Sequence, residues 1–154
     1  MILIKAATQK HLGEINRIEI ESFSEPWSKN ALSTEIDTAI CFIAWDAKHS
    51  TVVGYATMRQ IFDEGHISNI AVAKRYQKRG IGDMLMTALI QAAIAHNING
   101  ITLEVRVGNQ AALALYYKYG FKKEGLRKNF YSYPNEDAII MWKYINQGAD
   151  SCEN

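Results

Sequence analysis

Val72-Ala73-Lys74-Arg75-Tyr76-Gln77-Lys78-Arg79-Gly80-Ile81-Gly82 joins a strand-like stretch, His66 to Ala73, to a run with helical spacing. A strand, a basic glycine-bearing loop and a helix N-terminus in that order make a candidate phosphate site. Glycine removes Cβ obstruction, so backbone N–H groups can converge on an anion, and the first turn of the helix adds unpaired donors and partial positive charge. Lys74, Arg75, Lys78 and Arg79 add full charges. The bland alternative is a helix start with a solvated basic face. Two phosphate motifs are excluded. A Walker loop needs Lys-Ser/Thr after its last glycine, where Asp83-Met84 stands, and a dinucleotide fingerprint needs a small residue where Leu85 stands.

Downstream of the loop, Ile81, Met84, Leu85, Ala88, Leu89 and Ala92 fall at the spacing of a buried face and predict a helix from about Gly80 to His96. Ile101 to Val107 alternates as a strand. Ile101, Leu103, Val105 and Val107 point one way, and Thr102, Glu104 and Arg106 the other. A crossover helix makes this strand parallel to the previous one and internal to a sheet, so the polar face, Glu104 and Arg106 included, is expected to look into a cleft. Asn109 can cap a helix over Gln110 to Tyr119, with Ala112, Leu115, Tyr116 and Tyr119 on one stripe and Gly120 ending it. Two closing strands, Lys122 to Asn129 and Ala138 to Tyr144, flank a turn at Pro134-Asn135.

Upstream, Ile2 and Ile4 read as a short strand. Thr8 can cap a helix carrying Leu12, Ile15, Ile18 and Phe23, and Ser28 caps a second through about Asp37. Residues 40 to 45 and 51 to 61 predict an antiparallel hairpin across the polar turn Asp46 to Ser50. The pattern is one α/β domain over residues 1–146, with 147–154 a polar tail expected to be disordered.

With 154 residues, the chain is long enough for one core without staples. Seventeen Lys and Arg against 16 Asp and Glu leave a formal net charge of +1, too little for broad capture of nucleic acid or an anionic membrane. Cys41 and Cys152 form neither a disulfide framework nor a zinc spacing, no metal site is evident, and a reducing cytoplasm is the expected setting. No signal-peptide pattern and no 18-residue apolar run is seen.

Four motifs occur in order: Gln77-x-x-Gly80-x-Gly82 after Ile70-Ala71-Val72, then Leu103-Glu104-Val105-Arg106, then Asn109, then Ala114-Leu115-Tyr116-Tyr117-x-x-Gly120-Phe121. In these the chain resembles the GNAT superfamily of acetyl-CoA-dependent N-acetyltransferases. Pro26-Trp27-Ser28, Arg127-x-Asn129-x-Tyr131 and Glu136-Asp137-Ala138-Ile139-Ile140-Met141 bring it nearest to the RimI branch, which acetylates the N-terminal alanine of a ribosomal protein. The likeness spans residues 2 to 145. It implies the GNAT fold, a mixed central β-sheet of about 6–7 strands flanked by about 4 helices.

The resemblance also implies roles. Gln77, Lys78, Arg79, Gly80, Ile81 and Gly82 would cradle the pyrophosphate of acetyl-CoA, Ile70, Ala71 and Val72 would pair with its pantetheine arm, and Asn109 would meet the cofactor. Glu104 would be the general base, Tyr116 the general acid, and the Val72 N–H the oxyanion donor. Trp27 and Tyr131 are candidate walls for a protein N-terminus, since aromatic bodies with polar tips suit half-wet surfaces. His66 is a second candidate base, although a lone strand histidine is more often structural. Core packing for Tyr116, ion pairing of Glu104 with Arg106 and plain capping for Asn109 are the structural alternatives. The reaction expected is direct transfer to an N-terminal α-amine in a ternary complex. Another amine (a lysine side chain, polyamine or antibiotic) and a non-catalytic CoA-binding module remain open.

Overall fold

The computed structural model describes residues 1–145. The expected tail 147–154 and the boundary at residue 146 lie outside the described residues. Seven strands hydrogen-bond in the order β1-β2-β3-β4-β5-β7-β6, and four α-helices accompany them, matching the expected fold class. The strands are β1 Ile2–Ala6, β2 Ile40–Asp46, β3 Thr51–Ile61, β4 Glu64–Val72, β5 Gly100–Arg106, β6 Lys122–Tyr131 and β7 Glu136–Tyr144. The helices are α1 Leu12–Ser22, α2 Lys29–Thr38, α3 Ile81–Ala95 and α4 Gln110–Lys118. The described residues form two compact units, Met1–Arg59 with Ile67–Ala92, and Gln60–His66 with residues 93–145.

In the first unit, β1 pairs antiparallel with β2, and β2 with β3, as the expected hairpin. Its core gathers Ile15 and Ile18 of α1, Leu32 of α2, Ile43, Val52, Tyr55 and Ala71. Ser28 caps α2, its Oγ accepting from the Ala31 N–H at 3.1 Å. Thr8 starts a 3-10 turn, Gln9–His11, rather than α1 itself, and its N–H donates to His11 Nδ1 at 3.0 Å. Phe23 does not extend the apolar face of α1. It is extended (φ −126, ψ 140) just past the helix end and stays 37% exposed, because the helix stops at Ser22 before the Pro26 break.

The buried face of α3 is Ile81, Leu85, Met86 and Leu89, with Ala93 one turn beyond, whereas Met84 is 36% exposed. An almost wholly apolar helix carries little phase information, so its buried stripe is rotated from the expected one. Gly54 makes the close approach possible. A Cβ there would lie 3.0 Å from the Ala71 carbonyl oxygen, 3.2 Å from Leu85 Cδ1 and 3.4 Å from Ile81 Cγ2.

In the second unit β5 is internal, parallel to β4 and antiparallel to β7. Its ladder with β4 runs from Glu64↔Gly100 to His66↔Thr102. Ile101, Leu103 and Val105 are buried, and Thr102, Glu104 and Arg106 are half-buried, as the alternation predicts. The buried residues of α4 are Leu113 and Tyr116. Gly120, at φ +89, ends the helix in the left-handed region that L residues avoid. β6 lies at the sheet edge, and its Lys122, Lys123, Arg127 and Lys128 give that edge the charge that discourages pairing with other chains.

Candidate active site

The first unit carries the glycine loop. Gln77 is extended (φ −67, ψ 156), while Lys78 (φ 64) and Gly80 (φ 80) lie in the left-handed region, so the chain turns sharply just before the helix. Nothing lies within 4 Å of a Cβ built at Gly80, so this glycine serves conformation, not space. The Met84 N–H closes the first helical bond on the Gly80 carbonyl at 3.1 Å, which leaves the Ile81 and Gly82 amides at the helix mouth. The Ile81 side chain itself is core. Lys78 and Arg79 are exposed. Arg79 lies over the Tyr76 ring at 5.0 Å, and the Tyr76 hydroxyl donates to Asp46 Oδ2 at 2.8 Å, so the loop is moored to the end of β2. Those hydrogen bonds, with His49, hold the Asp46 carboxyl well below the usual range. Gln77 Nε2 donates to the Val72 carbonyl at 3.1 Å, tying the loop to the end of β4. A helix mouth and two exposed cations, Lys78 and Arg79, give the loop a chemistry that suits a pyrophosphate.

Ile70 and Val72 are half-buried and Ala71 is buried, all three beyond the β4–β5 ladder. Next to them Asn69 Nδ2 donates to Glu19 Oε1 at 2.7 Å. Glu19 is 1% exposed, also accepts from the Tyr55 hydroxyl, and its Oε2 accepts from the Trp27 N–H at 2.8 Å. This buried carboxylate escaped the sequence reading. Its one signal is an acidic residue placed one turn after Ile15 on the apolar face of α1. Trp27 packs its side chain against the core cluster.

The second unit carries the expected base and acid. Glu104 on β5 is 18% exposed, and its Oε1 lies 2.8 Å from His66 Nε2 on β4. Both line a cavity of about 470 Å³ with Ile61, Thr102, Arg127 and Phe130. Burial alone would raise the Glu104 pKa. The direction is the reverse, because the hydrogen bond from His66 outweighs desolvation, with the charges of His66 and Arg127 adding to it. Arg106 is not its partner and does not line this cavity. The Arg106 guanidinium donates to Glu136 Oε1 at 3.1 Å, to the Pro134 carbonyl at 2.9 Å and to the Ser132 carbonyl at 3.0 Å. It also lies 4.4 Å from the centre of the Tyr131 ring, so it ties the β6–β7 turn and that ring together. Burial and the Glu104 charge push Tyr131 up to about 12.

Tyr116 is 6% exposed on α4, its ring tilted against Phe121 at 5.8 Å. Burial, with Tyr131 nearby, raises its phenol above the ordinary value and keeps it protonated. Asn109 caps α4 through Oδ1, which accepts from the Ala112 N–H at 3.1 Å, and the residue is exposed. Among the described residues no group of three or more His, Cys, Asp or Glu is placed to hold a metal ion. No helix among them is long and apolar enough to cross a membrane.

The Acetyltransferase (GNAT) family matches residues 12–121. The "Putative [ribosomal protein bS18]-alanine N-acetyltransferase" of Bacillus subtilis is 31% identical over 137 residues, 88% of this chain and 91% of that protein. The "[Ribosomal protein bS18]-alanine N-acetyltransferase" of Escherichia coli K12 is 34% identical over 127 residues, 80% of this chain and 84% of that protein. Among solved structures, the ribosomal-protein-S18-alanine N-acetyltransferase from Escherichia coli superposes with a TM-score of 0.87 at 30% identity, covering 94% of each chain. Ard1 from Thermoplasma volcanium gives 0.84 at 27% identity, covering 94% of this chain and 97% of that one. The chain belongs to the GNAT family of acetyltransferases, enzymes that use acetyl-CoA.

Proposed function

We propose that this enzyme acetylates the N-terminal α-amine of a ribosomal protein, with bS18 the first candidate because both relatives above carry that name. The observation that carries the chemistry is a Glu104 carboxyl, its pKa lowered by the hydrogen bond to His66, that lines a cavity of about 470 Å³. Acetyl-CoA supplies a thioester whose acyl carbon an uncharged amine can attack. Glu104 takes the proton that the acceptor nitrogen sheds. Tyr116, buried and protonated, delivers a proton to the departing thiolate. The Val72 N–H receives the oxyanion. Ile70, Ala71 and Val72 offer backbone to the pantetheine amides, Gln77 to Gly82 hold the pyrophosphate with Lys78 and Arg79, and Asn109 has its amide nitrogen to offer beyond its cap. Trp27 and Tyr131 are each a candidate contact for the acceptor peptide.

Direct transfer is favoured over a covalent enzyme intermediate. Burial and the Glu35 charge push the Cys41 thiol up to about 12, so it offers no thiolate at neutral pH. An α-amine is favoured over lysine by its pKa of about 7.7–8.0 against about 10.4, which makes its neutral fraction several hundred times larger near pH 7. We take residues 1–146 as one catalytic domain, since the family match draws on both compact units. A cytoplasmic location follows from a ribosomal substrate.

The test is CoA release with two peptides, one lysine-free with an N-terminal alanine, the other N-terminally blocked with an internal lysine. Activity on the first alone is expected; activity on the second alone moves the enzyme to lysine modification. Glu104→Gln is expected to lower kcat by about 10²–10⁴-fold with acetyl-CoA affinity unchanged, the usual worth of a general base. Full activity in that variant removes Glu104 from the role.

A further inference from the structure

We propose that His66 is the positioning residue of the base: its Nε2–H grips Oε1 of Glu104 and leaves Oε2 facing the acceptor cavity. This inference rests on Glu104 being the base. An ionised carboxylate carries no hydrogen, so the 2.8 Å contact requires the hydrogen to sit on Nε2 of the imidazole. Glu104 makes no second hydrogen bond with any described residue, so Oε2 is the oxygen available to an amine.

The backbone prepares this pair. His66↔Thr102 is the last rung of the parallel β4–β5 ladder, and Glu104 follows Thr102 by two residues, hence on the same face of β5. Diagonal neighbours across adjacent strands are within reach of long side chains, and strands hold them more rigidly than loops do. A partly exposed pair, 38% for His66 and 18% for Glu104, adds little to stability. Its consequence is orientation. Both side chains line the cavity in which Glu104 must meet its substrate. A histidine that only stabilised the sheet would have no need to engage the one carboxylate that lines it from β5.

The proton balance needs nothing further. The acceptor ammonium gives up two protons as its nitrogen becomes an amide. One is matched by the proton that the thiolate gains, and the other leaves through Glu104 Oε2 to solvent, with His66 returning to its starting state. The charged and titratable groups facing Glu104 are His66 and Glu64 from β4 and Arg127 and Tyr131 from β6, while its β7 partner is the apolar Ile140. Of these, His66 gives the largest downward pull on the Glu104 carboxyl.

The experiment compares His66→Ala, His66→Gln, Glu104→Gln and the double variant His66→Ala/Glu104→Gln by kcat, KM and pH profile with an alanine-terminated peptide. His66→Ala should lower kcat by about 10- to 100-fold, the scale set by loss of precise placement, with acetyl-CoA affinity unchanged. It should also move the acid limb of kcat/KM to higher pH. The sign follows from the pull just described: without His66 the carboxyl titrates higher, so the base form is lost sooner as pH falls. His66→Gln places an amide donor near the Nε2 position and should recover most of kcat. His66→Ala should add nothing in the Glu104→Gln background. An unchanged rate and acid limb in His66→Ala, beside a Glu104→Gln variant that is crippled, overturns the role of His66 and leaves that of Glu104 standing. A fully active Glu104→Gln variant overturns the base assignment itself. Should His66→Ala not fold, ring nitrogen NMR on the wild-type protein decides, since a His66 ring without a hydrogen on Nε2 overturns the proposal and one with it supports it.

Discussion

In the proposed mechanism Tyr116 and Glu104 face opposite demands, and each environment is suited to one of them. Burial raises the Tyr116 phenol, so its proton is present throughout neutral and mildly alkaline conditions. The His66 contact lowers the Glu104 carboxyl, so it is ionised down into acid. The two shifts widen the pH range in which the base is empty and the acid is loaded. Activity is therefore expected to persist to about pH 10, the ordinary tyrosine value, while the acceptor amine itself becomes more nucleophilic as it deprotonates. A steady-state profile that falls with a basic limb near pH 8 would exclude Tyr116 as a buried acid. Tyr116→Phe is expected to cost about 10²-fold in kcat with acetyl-CoA affinity intact, measured by calorimetry beside the kinetics. The half-buried face of β5 that carries Glu104 was legible in the strand alternation, and the place of Tyr116 on α4 in its helical stripe. His66 as a partner and Glu19 as an anchor were not, because they meet Glu104 and Tyr55 across 38 and 36 residues of chain. Local periodicity carries no information at that separation.

Elements were read best where a cap or a turn punctuates them. Ser28, Asn109 and Gly120 each stand at a helix end for the reason inferred, two by capping with a side-chain oxygen and one by its left-handed backbone. Phase was read worst where apolar residues surround the helix, as in α3, and the edge position of β6 is set by strand pairing that no local pattern encodes. Contact between α3 and the strands beneath it turns on Gly54, whose missing Cβ leaves room for the Ala71 carbonyl and the Ile81 and Leu85 side chains. Two of these neighbours belong to the helix that starts at the glycine loop, and the third is backbone of the strand segment proposed to meet pantetheine. Gly54→Ala should therefore destabilise the fold by about 1–3 kcal/mol through overpacking, seen in urea titration, and also weaken acetyl-CoA several-fold. A variant that loses stability with unchanged acetyl-CoA affinity would show that the helix yields without moving the loop.

At the scale of the whole chain, the glycine loop and the base-bearing cavity belong to different compact units, and β4 contributes to both, with Glu64–His66 in one and Ile67–Val72 in the other. Binding and proton transfer can then be perturbed separately, which a near-neutral chain makes easy to test because no large field masks single charges. Any ligand held by the native state alone stabilises it by mass action, about 2.7 kcal/mol at a hundred times Kd. For a chain of this size that corresponds to a rise in Tm of roughly 5–10 °C. Acetyl-CoA is expected to produce this rise in the wild type, in Glu104→Gln and in His66→Ala alike, since the proposed grip on its phosphates lies in the loop. Arg79→Ala, which removes an exposed cation but leaves the loop backbone in place, should reduce the rise at fixed acetyl-CoA concentration while barely changing the unliganded Tm. A thermal scan that finds the rise abolished by Glu104→Gln and untouched by Arg79→Ala would move the main affinity determinant away from the glycine loop.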